Sequence, residues 1–222
     1  TPLRTSSAAS DVYKRQGCTV AIGLEAYDDR VLRFHVNKGF TTKQWHAAVQ
    51  MLRDNNLRVK TYLLFKPPFM SEGDALVHTT SWLTNVAQYS DEVSVNPMNI
   101  QKNTIVDRLF RNNEYRPPWL WSLVEMILRS HEHLGDESCR IIVHPTAGGK
   151  IRGAHNCGQC DSEVVAAIER YSVSGDTEEF SHLECSCKSH WRAEIENDNS
   201  CPLPLGFGTF RRGNPTDIVR AP

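Results

Sequence analysis

Three features of the 222-residue sequence predict an α/β fold on a parallel sheet. Short apolar runs of strand length alternate with longer segments whose apolar residues recur at helical spacing. The helical segments open on Thr, Ser or Pro at the positions that favour helix starts. Strand and helix succeed one another through residue 144, the grammar of crossover helices joining parallel strands.

"TVAIGL" (19–24) reads as a short buried strand. "TTKQWHAAVQMLRDN" (41–55) reads as a helix, with Thr41 and Gln44 as a capping box and Trp45, Ala48, Val49 and Leu52 on one face. "VKTYLLF" (59–65) is the second strand, stopped by Pro67 and Pro68. A helix over about 72–89 starts at Ser71 as N-cap, and "EVSVN" (92–96) is the third strand. "TIVDRLFRN" and "PPWLWSLVEMILRSHEHL" are two more helices, the latter with proline in its opening turn, and "CRIIVH" (139–144) is the fourth strand. Parallel sheets bind ligands beyond the carboxyl ends of their strands. Glu25, Lys66, and Asn96 with Asn99 and Gln101 follow those ends here.

After residue 145 the pattern changes. "PTAGGKIRGAHNCGQC" is glycine-rich, then Asp161 is expected to cap a helix carrying Val164, Val165 and Ile168. "DTEEF" (176–180) begins another turn. The organisation expected is a leader over 1–16 without periodicity, foreign to the fold; a sheet domain over 17–145; a Cys-rich appendage over 146–200; and an irregular Pro- and Gly-rich tail over 201–222.

With 40% hydrophobic and 23% charged residues and a formal charge of -1, the chain has enough apolar content for a core but no global attraction for nucleic acid. "KIRG" (150–153), "KSHWR" (188–192) and "FRR" (210–212) are local basic clusters, most simply solvated surface. No apolar run has membrane-spanning length and no signal peptide is visible, so no membrane association and a cytoplasmic setting are expected. In a reducing compartment close cysteine pairs read as metal ligands rather than disulfides.

Cys157-Gly-Gln-Cys160 and Cys185-Ser-Cys187 provide four thiolates, with His155 and His190 as possible substitutes. Cys18, Cys139 and Cys201 stand alone. A two-residue spacer lets both sulfurs turn to one ion, whereas a one-residue spacer is less typical of zinc ribbons. A structural Zn2+, an iron–sulfur cluster, a redox disulfide and unpaired cysteines are the alternatives. Four sulfurs would leave no coordination position for substrate, so such a site folds the chain and reaction belongs at the strand ends. Trp119 and Trp121 read as helix-packing residues, His131 and His133 as cations suited to a helix C-terminus, and Asp28 and Asp29 as turn and helix-start residues.

"VAIGLEAYDDRVLRFHVNKGFT" resembles the fourth strand and following helix of radical S-adenosylmethionine (SAM) enzymes of the elongator-like class, and "VKTYLLFKPPFMSEGDA" resembles their next strand. "VSVNPMNIQKNTIVDRLFRNNEYRPPWLWSLVE" and "GAHNCGQCD" look like the radical-SAM subunits of archaeosine synthases, which act on an archaeal transfer RNA. The resemblance covers about residues 17–196. It implies the C-terminal half of a partial (β/α) radical-SAM barrel with a small Cys-rich appendage. In the family, a [4Fe-4S] cluster on a Cys-x3-Cys-x2-Cys loop cleaves SAM to a 5′-deoxyadenosyl radical, which converts a lysine-bearing deazaguanine adduct to archaeosine. Carried over, Glu25 would approach the SAM ribose hydroxyls, Lys38 the methionyl carboxylate, and Asn96 the adenosine pocket. Lys66 replaces a glycine common in the class. Transfer RNA and the lysine-transferring subunit are the implied partners.

No Cys-x3-Cys-x2-Cys occurs in this sequence, and the first three βα units of the family barrel are absent. The expectation is therefore a C-terminal portion of a longer enzyme, inactive alone, with strand edges and apolar faces that the missing units would cover. A non-catalytic zinc-binding module for RNA or protein is the competing reading, motivated by the four thiols and the basic clusters beside them.

Overall fold

The structure, a computed structural model, describes residues 18–134 and 139–200. Four strands, β1 (Thr19–Glu25), β2 (Arg58–Phe65), β3 (Glu92–Pro97) and β4 (Arg140–Val143), form one sheet in the order β1-β2-β3-β4. All three pairings are parallel. Each crossover is helical, as parallel neighbours require. A short helix α1 (Asp29–Val31) runs into a π-helical turn (Leu32–Val36), followed by α2 (Thr42–Asp54), α3 (Glu72–Ala87), α4 (Ile105–Arg111) and α5 (Leu120–Leu134). Beyond β4 come α6 (Asp161–Ser174), a 3-10 turn (Thr177–Phe180) and α7 (Cys187–Ser200). Among the described residues no helix is long and apolar enough to cross a membrane.

Local chemistry sets the helix starts. Thr41 and Gln44 make the reciprocal capping box, and Ser71 accepts from the Asp74 amide. Thr104 and Asp28 cap α4 and α1 in the same way. Two expectations are corrected. Asp161 is the first helical residue, with Cys160 at the cap position; its carboxylate reaches back to the Asn156 and Gly158 amides. The tandem prolines 117 and 118 lie before α5, whose first residue is Leu120.

One sheet face is buried by helices. On β2, Val59, Thr61, Leu63 and Phe65 are buried, whereas Lys60, Tyr62 and Leu64 on the opposite face are half-exposed. That second row continues through Gly23 of β1 and Ser94 and Asn96 of β3, which share its register. The buried side meets Trp45, Leu76, Leu83, Leu123 and Met126 in one core.

The cysteine-bearing segment, expected as an appendage, enters the same core through Val164, Ile168, Tyr171, Leu183 and Trp191. It also closes an edge. Ser172 Oγ accepts from the Val143 amide at 3.0 Å and donates to the Val143 carbonyl at 2.9 Å, satisfying backbone groups of the last strand. His131, expected to act as a cation at the α5 terminus, instead bonds Tyr171 at 2.7 Å. Burial lowers its pKa, so the neutral ring is favoured.

Candidate functional site

β1 ends at Glu25, whose backbone is left-handed (φ 73°), and β2 is followed by Lys66 in the same conformation (φ 57°). Both strands thus turn sharply at their carboxyl ends, and both turns carry a charged side chain. The Glu25 carboxylate folds back over Gly23, where a Cβ would lie 2.8 Å from its Oε1. Lys38 Nζ reaches the same Oε1 at 3.1 Å. Lys38 is delivered by the π-helical turn, which stops at left-handed Asn37 when the Lys38 amide donates to the Leu32 carbonyl. Single π-turns of this kind concentrate at functional sites because they redirect side chains.

An open cleft of about 490 Å3 adjoins Lys38, lined by Arg30, Arg33, Phe34, Phe40 and Gln44 among others. Glu25 and Lys38 therefore form a half-exposed opposite-charge pair, of which Lys38 lines the cleft. Neither the role of Gly23 nor the Arg30–Arg33 wall was visible from motif reading. The signal available was a glycine inside a strand, which often marks close approach of another group.

Lys66 is placed differently. Its ammonium pairs with Glu72 at 2.7 Å, with side chains 5% and 0% exposed. The other Glu72 oxygen accepts from the Trp119 amide at 2.9 Å, and the Tyr115 hydroxyl donates to the Lys66 carbonyl at 2.7 Å. A buried charge needs such compensation. Lys66 thus ties the β2 exit to the starts of α3 and α5. Asn96 lies in β3 opposite Leu64, half-exposed on the face that also carries Gly23. Glu25 and Lys38 meet directly, whereas Lys66 contacts Glu72.

The four cysteines of the two close pairs converge, with all sulfurs within 4.8 Å of one another. Cys157–Cys160 is 4.0 Å, and Cys157–Cys185 and Cys160–Cys187 are each 3.7 Å. Thiolates about 2.3 Å from one tetrahedral ion sit roughly 3.8 Å apart. The spacing therefore fits a single ion; a polynuclear cluster gives different irons different thiolates and spreads the sulfurs farther.

The surroundings suit thiolates as well. Asn156 Nδ2 donates to Cys160 at 3.3 Å and Trp121 Nε1 to Cys187 at 3.2 Å. Backbone N–H groups of Gln159 and Cys160 bring the Cys157 thiol down to about 7. Burial pushes Cys160 up and Cys187 up to about 11, so a cation is what would make those two anionic. Gly158, at φ 89°, makes the tight turn between Cys157 and Cys160. His155 bonds the Gly153 carbonyl at 2.9 Å and completes no ligand set.

The fold has a counterpart among solved structures. Elp3 of Methanocaldococcus infernus superposes with a TM-score of 0.55 at 15% identity, over 77% of this chain and 39% of that one. The likeness is one of fold, an α/β arrangement on a parallel sheet.

In sequence the chain is similar to proteins named archaeosine synthase subunit beta. It is 35% identical to the Methanosarcina acetivorans protein over 189 residues and 36% identical to the Thermococcus kodakarensis protein over 179 residues. These matches cover 85% and 80% of the chain but 54% and 55% of the relatives, so it spans about half their length. An uncharacterized Methanocaldococcus jannaschii protein matches at 31% over 192 residues. No protein-family profile matches.

Proposed function

We propose that the chain is part of a radical-SAM enzyme that modifies transfer RNA, forming archaeosine from a lysine-adducted deazaguanine. The observation that carries this reading is the 35–36% identity to two proteins named archaeosine synthase subunit beta. Their name also implies a second subunit, and a lysine-transferring partner is proposed here.

In this reading Lys38 releases Glu25 to hold the methionyl carboxylate of SAM, while Glu25 accepts from the ribose hydroxyls. The pair at 3.1 Å suits such a ligand, because Lys38 exchanges one carboxylate for another and Glu25 exchanges an ammonium donor for hydroxyl donors. Asn96 lines the adenosine side, and Lys66 fixes the loop after β2 through Glu72. When bound, SAM supplies radical chemistry. The cysteines at 18, 139, 157, 160, 185, 187 and 201 contain no Cys-x3-Cys-x2-Cys spacing, so no residue of this chain is assigned to the radical-generating [4Fe-4S] cluster.

Cys157, Cys160, Cys185 and Cys187 hold a structural Zn2+ in this proposal. With its sphere closed by sulfur the ion has no open position, and its part is to fold the segment onto the barrel. A second iron–sulfur cluster, the alternative occupant, would require the sulfurs to move apart from this spacing.

The test uses the complete enzyme, iron-reconstituted without oxygen and incubated with dithionite as the one-electron donor, SAM and transfer RNA bearing the lysine adduct. Mass spectrometry should find 5′-deoxyadenosine and archaeosine. An enzyme that fails to bind SAM overturns the reading.

A further inference from the structure

The loops leaving β3 and β4 are joined through Arg152 and Asp107. The Ile100 amide donates to the Arg152 carbonyl at 2.8 Å, and Arg152 Nε donates to the Ile100 carbonyl at 3.1 Å. The same guanidinium pairs with Asp107 Oδ1 at 2.5 Å, while Arg111 takes Oδ2 at 2.8 Å. The Asn103 amide also donates to Oδ2, at 3.0 Å. One buried carboxylate thus binds the β3 exit, helix α4 and the loop after β4 into a single surface.

That surface is strongly basic. Lys102, Arg108 and Lys150 are exposed on the three joined segments, beside Arg111 and Arg152. Asp107 neutralises one charge from within, and Glu114 is the exposed acid nearby. Five of the 25 Lys and Arg residues of a chain of formal charge -1 thus stand on these joined segments. Like charges at such density repel, a cost that a polyanion reverses by displacing condensed counterions.

We infer that this surface docks the phosphate backbone of a folded RNA whose modified base enters the strand-end site. RNA as the partner rests on the function proposed above; the surface itself rests on the charge cluster. The surface lies at the carboxyl ends of β3 and β4, two to three strand spacings, about 10–15 Å, from the β1 exit with Glu25 and Lys38. A protein partner is the poorer match. Protein interfaces have cores depleted of charge and rich in aromatics, whereas an ion-pair network occupies the middle here, flanked by the exposed Ile105 and Ile151.

The test is a triple substitution, Lys102→Ala, Arg108→Ala and Lys150→Ala, in the complete enzyme, with circular dichroism and metal content as folding controls. The probes are the adduct-bearing transfer RNA and an unmodified transfer RNA of unrelated sequence. Each lost phosphate contact lowers the slope of log Kd against log salt by about 1, so the triple variant should lose about 3 and weaken for both RNAs alike. A folded variant with parental affinity and slope overturns the inference and leaves the proposed function standing. A variant weakened for RNA, derived from a parent that binds RNA but forms no archaeosine, does the reverse. Loss of the partner subunit with RNA affinity intact assigns the surface to protein and overturns the inference, and a parent enzyme that binds neither RNA overturns both.

Discussion

Glu25 and Lys38 meet at 3.1 Å directly above Gly23, a residue with no side chain to keep them apart. Three features that are not adjacent in sequence produce this contact: a glycine inside a strand, a left-handed turn at the strand end, and a π-turn that swings Lys38 back over the sheet. In the pair each side chain balances the other's charge.

Gly23→Ala should therefore disturb ligand binding rather than folding. The added methyl would sit 2.8 Å from Glu25 Oε1 and 3.3 Å from Lys38 Nζ, so both flexible charged tips must move. Displacing one charge-assisted hydrogen bond costs about 1.5 kcal/mol or more, a loss of about tenfold in SAM affinity. Isothermal titration of the complete enzyme measures it. Lys38→Ala should weaken binding at least as much, with Lys38→Arg between the two. Parental affinity in all three variants would detach this pair from the cofactor.

The Lys66–Glu72 pair should behave as a structural element. Glu72→Ala leaves a buried ammonium without a counter-charge and orphans the Trp119 amide, at a cost of about 3–5 kcal/mol. Replacing both members by apolar residues of similar volume should recover much of that loss, because two desolvated charges disappear together. Urea midpoints of the single and double variants separate the cases. A double variant no more stable than Glu72→Ala would show that the Trp119 bond matters more than charge balance.

Much of the fold was legible because its signals are local. The Thr41–Gln44 box, the Ser71 cap and the apolar periodicities lie within four residues of what they determine. The four cysteines were equally legible, since Cys-x-x-Cys spacing itself constrains geometry. What the sequence hid is non-local. Lys66 reads as a strand-exit cation until the folded chain brings Glu72, Tyr115 and Trp119 around it. His131 reads as a helix-end charge until Tyr171, forty residues on, takes its ring nitrogen. Asp161 looks like a cap, yet its carboxylate is used by the loop before it.

Asp107 gives a pH-dependent prediction. Arg152, the Asn103 amide and Arg111 hold its carboxyl at about 2, below the ordinary 3.8. A depressed folded-state pKa contributes stability that is complete above the unfolded value and is lost as pH falls from about 4 through about 2. Asp107→Asn should therefore be less stable than the parent at pH 7, with the gap narrowing as the parent is acidified through that window. Chemical denaturation at pH 7 and pH 3 tests it. A gap unchanged at pH 3 would mean that the carboxylate charge contributes nothing to joining the two loops.

Metal removal should reach the strand-end site through α7. Cys187 begins that helix, and its sulfur is 3.7 Å from Cys160 and 3.2 Å from Trp121 Nε1. Farther along, Trp191 bonds Ser122, Glu194 bonds the Trp119 indole, and Asp198 accepts from the Gly73 amide at the start of α3. Trp119 and Gly73 flank the Glu72 that holds Lys66. An ion at the four sulfurs thus secures a helix whose side chains support the buried pair. Structural zinc contributes on the order of 10 kcal/mol in small zinc-folded peptides, and a fraction of that suffices to anchor one helix. Chelation, or Cys160→Ser with Cys187→Ser, should lower Tm and raise hydrogen exchange first in α7, then at residues 66–75. One equivalent of cobalt should restore protection and show the visible spectrum of a tetrahedral tetrathiolate. Protection at residues 66–75 that is unchanged after complete metal loss would confine the ion's influence to its own loops.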